Sequence, residues 1–154
     1  MDRKKNIFEK IGLLIPGYRG YAEREGRRNC DKILRDGIVV KLTGIEKILY
    51  EKMSEAMKQK DKELMKTIEE TRKELNTFSS RIKFVPHAAT AFFTDRQIKE
   101  DELYNIYQFD LDLALSIENL YGNVRTLPLL EIKKMLLRSQ EILGRRNLYI
   151  DEFK

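Results

Sequence analysis

Apolar residues along this chain recur every three or four positions and almost never alternate one by one. That is the period of a helix with one face turned inward. Ile7, Ile11, Leu14 and Ile15 share one such face, with Lys4, Lys5 and Lys10 elsewhere on the wheel, so residues 1–15 read as a short amphipathic helix stopped by Pro16-Gly17. No proline interrupts residues 20–83, where Ile38, Leu42, Ile45, Leu49, Met53, Met57, Leu64, Ile68, Leu75, Phe78 and Ile82 step mostly by three, four or seven. This spacing predicts a long central helix with a coiled-coil-like seam, or a helical hairpin. Unbroken, it would exceed roughly 60 Å at about 1.5 Å per residue. Thr43-Gly44-Ile45-Glu46 has the form of a capping box and is the first place to expect a break; the polar run Lys58 to Glu63 is the second.

After Pro86 a turn of small and aromatic residues, Phe84 to Phe93, is expected to fold back over the bundle. A third helix, over 95–121, begins at Thr94 or near Glu100, turns Ile106, Leu113, Ile117 and Leu120 inward, and stops at Gly122. A last helix, over 127–144, has Thr126 as its cap, Pro128 in its first turn, Leu129, Ile132, Leu136, Ile142 and Leu143 among its apolar residues and Gly144 beyond its end. The residues after it fray or dock. The expected fold is all-α, a single elongated helical bundle over 1–154.

Composition narrows the chemistry. No apolar run approaches the length of a membrane span, and the basic start lacks the apolar stretch of a secretory signal, which suits a cytoplasmic protein. One cysteine, Cys30, and one histidine, His87, cannot form a Cys/His metal site within one chain, and a di-iron carboxylate pair would need a Glu where Phe84 stands. Phosphate-cradling glycine loops are missing as well. Cys30 and His87 fall in no hydrolase motif and read as a small buried thiol and a turn histidine. The expectation is a protein that is not an enzyme, with no catalytic residue, metal or cofactor. Asp110 and Asp112 lie in the apolar run Phe109-Asp110-Leu111-Asp112-Leu113 but point in different directions. One of them is expected to be buried against an arginine of a neighbouring helix.

Charge singles out one region. Residues 1–47 hold 12 Lys and Arg against 7 acids, whereas residues 48–154 hold 18 of each, so the whole surplus of +5 belongs to the N-terminal third. There Arg24, Arg27, Arg28, Lys32 and Arg35 form a row suited to phosphate, carboxylate or an acidic helix, unless Glu23, Glu25, Asp31 and Asp36 neutralise it. On the opposite flank Ala22, Gly26, Cys30, Ile33, Gly37, Val40 and Gly44 form a stripe of small residues, and Gly26, Gly37 and Gly44 mark close packing by another helix of this chain or of a second subunit. The first helix either closes the core or lies on an anionic membrane surface.

Two stretches resemble a pattern of bacterial all-helical proteins: Ile15-Pro16-Gly17-Tyr18-Arg19-Gly20-Tyr21 leading into Arg27, Arg28, Asp31, Lys32, Leu34 and Arg35, and Phe92-Phe93 with Leu103, Ile106, Tyr107, Phe109 and Asp110. The resemblance implies bacterial origin and helical content, and that the turn at Tyr18 and the arginine row form one unit; it carries over no activity, ligand or site residue. The functional expectation is a non-enzymatic interaction or scaffold protein that self-associates and docks a protein partner through its basic third. Nucleic-acid backbone binding and peripheral contact with anionic membrane are the alternatives.

Overall fold

The computed structural model describes residues 3–84, 92–93 and 97–153, with the side chains of residues 3–5 and 24 excepted. Among these are five α-helices and no strand: α1 (Arg3–Leu14), α2 (Arg27–Lys58), α3 (Lys62–Lys83), α4 (Glu100–Asn123) and α5 (Leu129–Asp151), with a 3-10 turn at Arg24–Gly26 leading into α2. The all-α bundle expected from the periodicity is therefore the fold. Two hairpins, α2–α3 and α4–α5, pack together, α2 on α4 and α3 on α5, and α1 lies along α4.

The central helix does not break at Thr43-Gly44. Thr43 bonds back to the carbonyl of Val39, a habit of helix-interior threonine, and α2 continues for 32 residues, about 48 Å. Burial on both sides of the glycine, at Leu42, Ile45, Ile48 and Leu49, outweighs the ~1 kcal/mol that glycine costs inside a helix. The chain turns instead at the second candidate. Lys60 takes the left-handed conformation (φ 56°) that usually falls to glycine at a helix end, the Asp61 amide reaches back to the carbonyl of Ala56, and the Asp61 carboxylate caps α3 by accepting from the Leu64 amide at 3.1 Å.

Other boundaries also shift. The helix α4 begins at Glu100, where Glu102 accepts from the Lys99 amide at 2.9 Å; Thr94, the other candidate start, lies outside the described residues, as does His87. Its far end passes Gly122 by one residue. The last helix starts after Pro128 rather than at a Thr126 cap and runs through Gly144 to Asp151, because Leu143, Arg146 and Ile150 continue its buried stripe. The tail docks rather than frays, with Phe153 buried.

Ile7, Ile11 and Ile15 are all buried, so the apolar face of α1 closes the core, and a membrane would meet only its other side. No described helix is long and apolar enough to cross a membrane. Two glycines of the small-residue stripe receive other elements of the same chain. A methyl on Gly37 would sit 3.0 Å from Ile15 Cδ1, and one on Gly44 would sit 2.8 Å from the ring of Tyr121 in α4. Gly26, the third, faces open space.

The link between α1 and α2 is set by glycines at positive φ, Gly17 (90°) and Gly20 (89°). A methyl on Gly20 would lie 2.2 Å from Phe8 Cε1, whereas Gly12, within α1, has nothing within 4 Å. Gly20→Ala should therefore lower the unfolding free energy in urea by about 2 kcal/mol or more, and Gly12→Ala should raise it by roughly 0.5–1 kcal/mol. Equal and small effects at the two sites would contradict this account of the link.

Candidate functional site

The apolar stripes of three helices are each interrupted by a charge at one level of the bundle. In α2 the buried stripe reads Arg27, Asp31, Leu34, Ile38, Leu42; in α4 Leu103, Ile106, Asp110, Leu113, Ile117; in α5 Ile132, Leu136, Ser139, Leu143, Arg146, Ile150. Helical spacing thus aims Asp31, Asp110 and Arg146 at the same core. The Arg146 guanidinium, wholly buried, donates from Nε to Asp110 Oδ1 at 2.6 Å and from Nη2 to Asp31 Oδ1 at 2.7 Å and to the Tyr21 hydroxyl at 3.0 Å. Tyr18 and Tyr21, brought in by the glycine link, each donate a phenolic hydrogen bond to Asp110 Oδ2 at 2.6 Å. The second oxygen of Asp31 accepts from Arg35 Nε at 2.7 Å, and Arg35 Nη1 reaches the carbonyls of Ile82 and Phe84 at the end of α3.

Around this centre the backbone is tied in. The Tyr21 amide donates to the Tyr107 hydroxyl at 3.0 Å, the Gly20 amide to Cys30 Sγ at 3.2 Å, and Arg27 donates to the carbonyls of Tyr21 and Phe92 at 3.1 and 3.0 Å. Two carboxylates face two guanidiniums, and no buried side-chain nitrogen or oxygen of the network lacks a partner. A buried charge survives only when paired and fully hydrogen-bonded in this way.

Electrostatics follow from the geometry. Burial alone would raise the Asp31 carboxyl, but Arg146 and Arg35 outweigh it and hold it below its ordinary 3.8. Burial pulls the Arg146 guanidinium down, and Asp110, Tyr21 and Asp31 more than reverse this. Tyr18 and Tyr21 are pushed well above 10 by burial and then by the neighbouring Asp110 carboxylate. Burial also raises Tyr107 to about 12 and the Cys30 thiol to about 11. At neutral pH the phenols and the thiol hold their protons, the opposite of the bias that activates a nucleophile.

The expectation that one acid of the Asp110 and Asp112 pair is buried against a neighbouring arginine is met by Asp110 and Arg146, while Asp112 is exposed and bonds Gln108. The arginine row separates. Arg27 and Arg35 are interior and bonded to their own chain, so they are not the exposed anion-binding cations the row suggested. Arg28 and Lys32 are exposed, Arg28 lying 5.3 Å over the Phe93 ring and Lys32 bonding Asp36 at 2.6 Å. The side chain of Arg24 lies outside the described residues.

Beside the network, over Asp31 and Arg35, is an open groove of about 320 Å³ walled by Arg28, Lys32 and Lys83, with Val39 and Phe93 as its apolar surface. Lys83 comes from the end of α3 and could not be grouped with the row by local spacing. No family model, curated protein or solved structure matches the chain. Among the described residues no group of three or more His, Cys, Asp and Glu side chains is placed to hold a metal ion. The exposed charges of the groove are Arg28, Lys32 and Lys83 against Asp36, a net positive surface.

Arg146→Met keeps an unbranched apolar stem but leaves Asp31 and Asp110 buried without their shared partner. It should lower the unfolding free energy by roughly 3–5 kcal/mol, read by urea denaturation; a loss below about 1 kcal/mol would mean that the network does not anchor the bundle.

The pH dependence has two edges. Asp31, lowered in the fold, contributes stability at neutral pH that is lost as pH falls through 3.8 and below, because the unfolded chain takes the proton first. Cys30 and Tyr107, raised in the fold, contribute stability that is complete below about pH 9 and lost as pH climbs through about 11 and 12, because the unfolded chain loses the proton first. The urea midpoint should fall at both ends of a pH series, and a midpoint that rises between about pH 9 and 11 would refute the alkaline edge.

Proposed function

We propose that the protein is a non-enzymatic helical interaction module that docks an acidic segment of a protein partner in the groove of Arg28, Lys32, Lys83, Val39 and Phe93. The observation carrying this reading is that groove itself: exposed cations from two helices around an apolar floor, built directly on the buried Asp31–Arg35 pair. Arg35 is tied to both α2 and the end of α3, so the floor is rigid and little ordering is lost on binding. The Lys32–Asp36 pair is exposed on both sides, and such pairs contribute at most about 1 kcal/mol, so an incoming carboxylate can exchange with Asp36.

The non-catalytic part of the reading draws on the saturation of the network, whose phenols and carboxylates are bonded to one another and to Arg35 and Arg146. A nucleic-acid backbone would want a longer exposed row, and two of the five cations proposed for it lie inside. A protein segment of limited length fits Arg28 and Lys32 together with Lys83.

Immobilised protein should retain a discrete partner from native extract at low salt and release it as salt rises. The doubly substituted Arg28→Glu, Lys83→Glu protein, altered only at exposed positions, should retain about tenfold less, a loss of ~1.4 kcal/mol. Equal retention by both proteins would overturn the docking site, and recovery of nuclease-sensitive material alone would shift the reading to nucleic acid.

A further inference from the structure

The floor of the docking groove holds one donor that the network leaves unspent. Arg35 is a buried arginine, its side chain 7% exposed, and a guanidinium carries its N–H donors in a fixed plane. Its Nε is taken by Asp31 at 2.7 Å, and its Nη1 by the carbonyls of Ile82 and Phe84 at 2.6 and 3.1 Å. Nη2 makes no hydrogen bond among the described residues. Nor is it sealed in the core, where Asp151 Oδ1 is the one buried side-chain oxygen or nitrogen without a partner among those residues. Because Arg35 lines the groove, Nη2 meets solvent there, held in place by the bonds of its own guanidinium.

The same bonds position its neighbours. Lys83 stands between Ile82 and Phe84, the two residues whose carbonyls Arg35 holds, so its backbone is fixed beside the guanidinium. Lys32 and Arg28 precede Arg35 by three and seven residues, which puts them on the same flank of α2. In the core Asp31 and Asp110 balance Arg35 and Arg146. Of the exposed cations only Lys32 has an acid, Asp36, so the groove is left with two positive charges in excess.

We infer that the group bound here is a phosphomonoester, a phosphorylated side chain of the partner segment; the inference rests on the docking site proposed above. A phosphomonoester carries about −1.5 to −2 charges at neutral pH on three oxygens, which matches that excess. A carboxylate or a nucleic-acid phosphodiester brings a single charge and leaves half of it unmet. The Arg35 donor adds direction to the count of charges. An oxygen that accepts from Nη2 makes a charge-assisted bond to a group already immobilised, and the other oxygens face Lys83 and the α2 cations. Asp36 is exposed and turns to solvent as Lys32 changes partner. Val39 and Phe93 offer apolar surface to the carbon atoms that carry the phosphate, in a groove of about 320 Å³.

Two measurements on the full chain test this. Phenyl phosphate and benzoate, one ring with a dianionic or a monoanionic group, are titrated at equal ionic strength and followed by proton–nitrogen NMR at the arginine Nε–H signals. Phenyl phosphate should bind at least about tenfold more tightly than benzoate and shift the Arg35 signal, and Lys83→Gln, at an exposed position, should weaken it about fivefold or more. Equal affinity for the two probes, or an Arg35 signal that stays in place, would overturn the inference. In the second measurement, extract treated with a phosphatase is passed over the immobilised protein. Loss of the partner retained from untreated extract supports the phosphate. Retention that survives the phosphatase overturns it, and the Arg28→Glu, Lys83→Glu protein then decides separately whether the docking site stands: retention that this variant loses keeps the site, and retention that it keeps removes both.

Discussion

A guanidinium held out of water must find carboxylates that are equally short of it, and in this bundle that exchange takes place at Arg146. Its partners come from α2, from α4 and from the glycine link, and through Arg35 the same chain of bonds reaches the last carbonyls of α3. The apolar stripes alone would tolerate several ways of laying one hairpin on the other, because leucine and isoleucine contacts are not directional. Sliding α5 by one turn, by contrast, would leave Asp31 and Asp110 buried without their shared cation, at several kcal/mol. The directional bonds thus select one register from those the hydrophobic pattern permits, and the α1–α2 link is held because Tyr18 and Tyr21 complete the coordination of Asp110.

Much of this was legible in the order of residues. The apolar period fixed helical content and the approximate helices, and a carboxylate standing in the stripe at Asp110 pointed to a buried pair. The arginine that answers it stands in the stripe of α5 between Leu143 and Ile150 and carried the same signal, a charge at a core position, but the expected end at Gly144 placed it outside the helix. The misplaced break has a similar origin. Thr43-Gly44 has the letters of a cap, yet caps form only where the chain turns, and the turn fell where Lys60 could adopt a left-handed conformation and Asp61 could cap α3. Local propensity is weak beside tertiary burial at such places.

The distribution of charge needed the structure most. A surplus of +5 in the N-terminal third reads as a basic surface, but Arg27 and Arg35 turn their charge inward. The exposed remainder is completed by Lys83, which arrives from the end of another helix. Sequence locality shows which residues share a helix face; it does not show which faces of different helices meet. Of the arginine row, Arg27 and Arg35 join the turn at Tyr18, through the Tyr21 carbonyl and through Asp31.

The span of the network along the chain bears on the order of assembly. The bond from Arg146 to Asp31 closes a separation of 115 residues, and that from Arg146 to Tyr21 one of 125, whereas each hairpin joins helices that are consecutive in the chain. Loop closure must be met before such distant groups gain anything from meeting. Asp110 meets Arg146 within the second hairpin, but Asp31 and Tyr21 meet that guanidinium only where the hairpins and the link come together, so the contacts that complete its coordination are the ones longest in the chain.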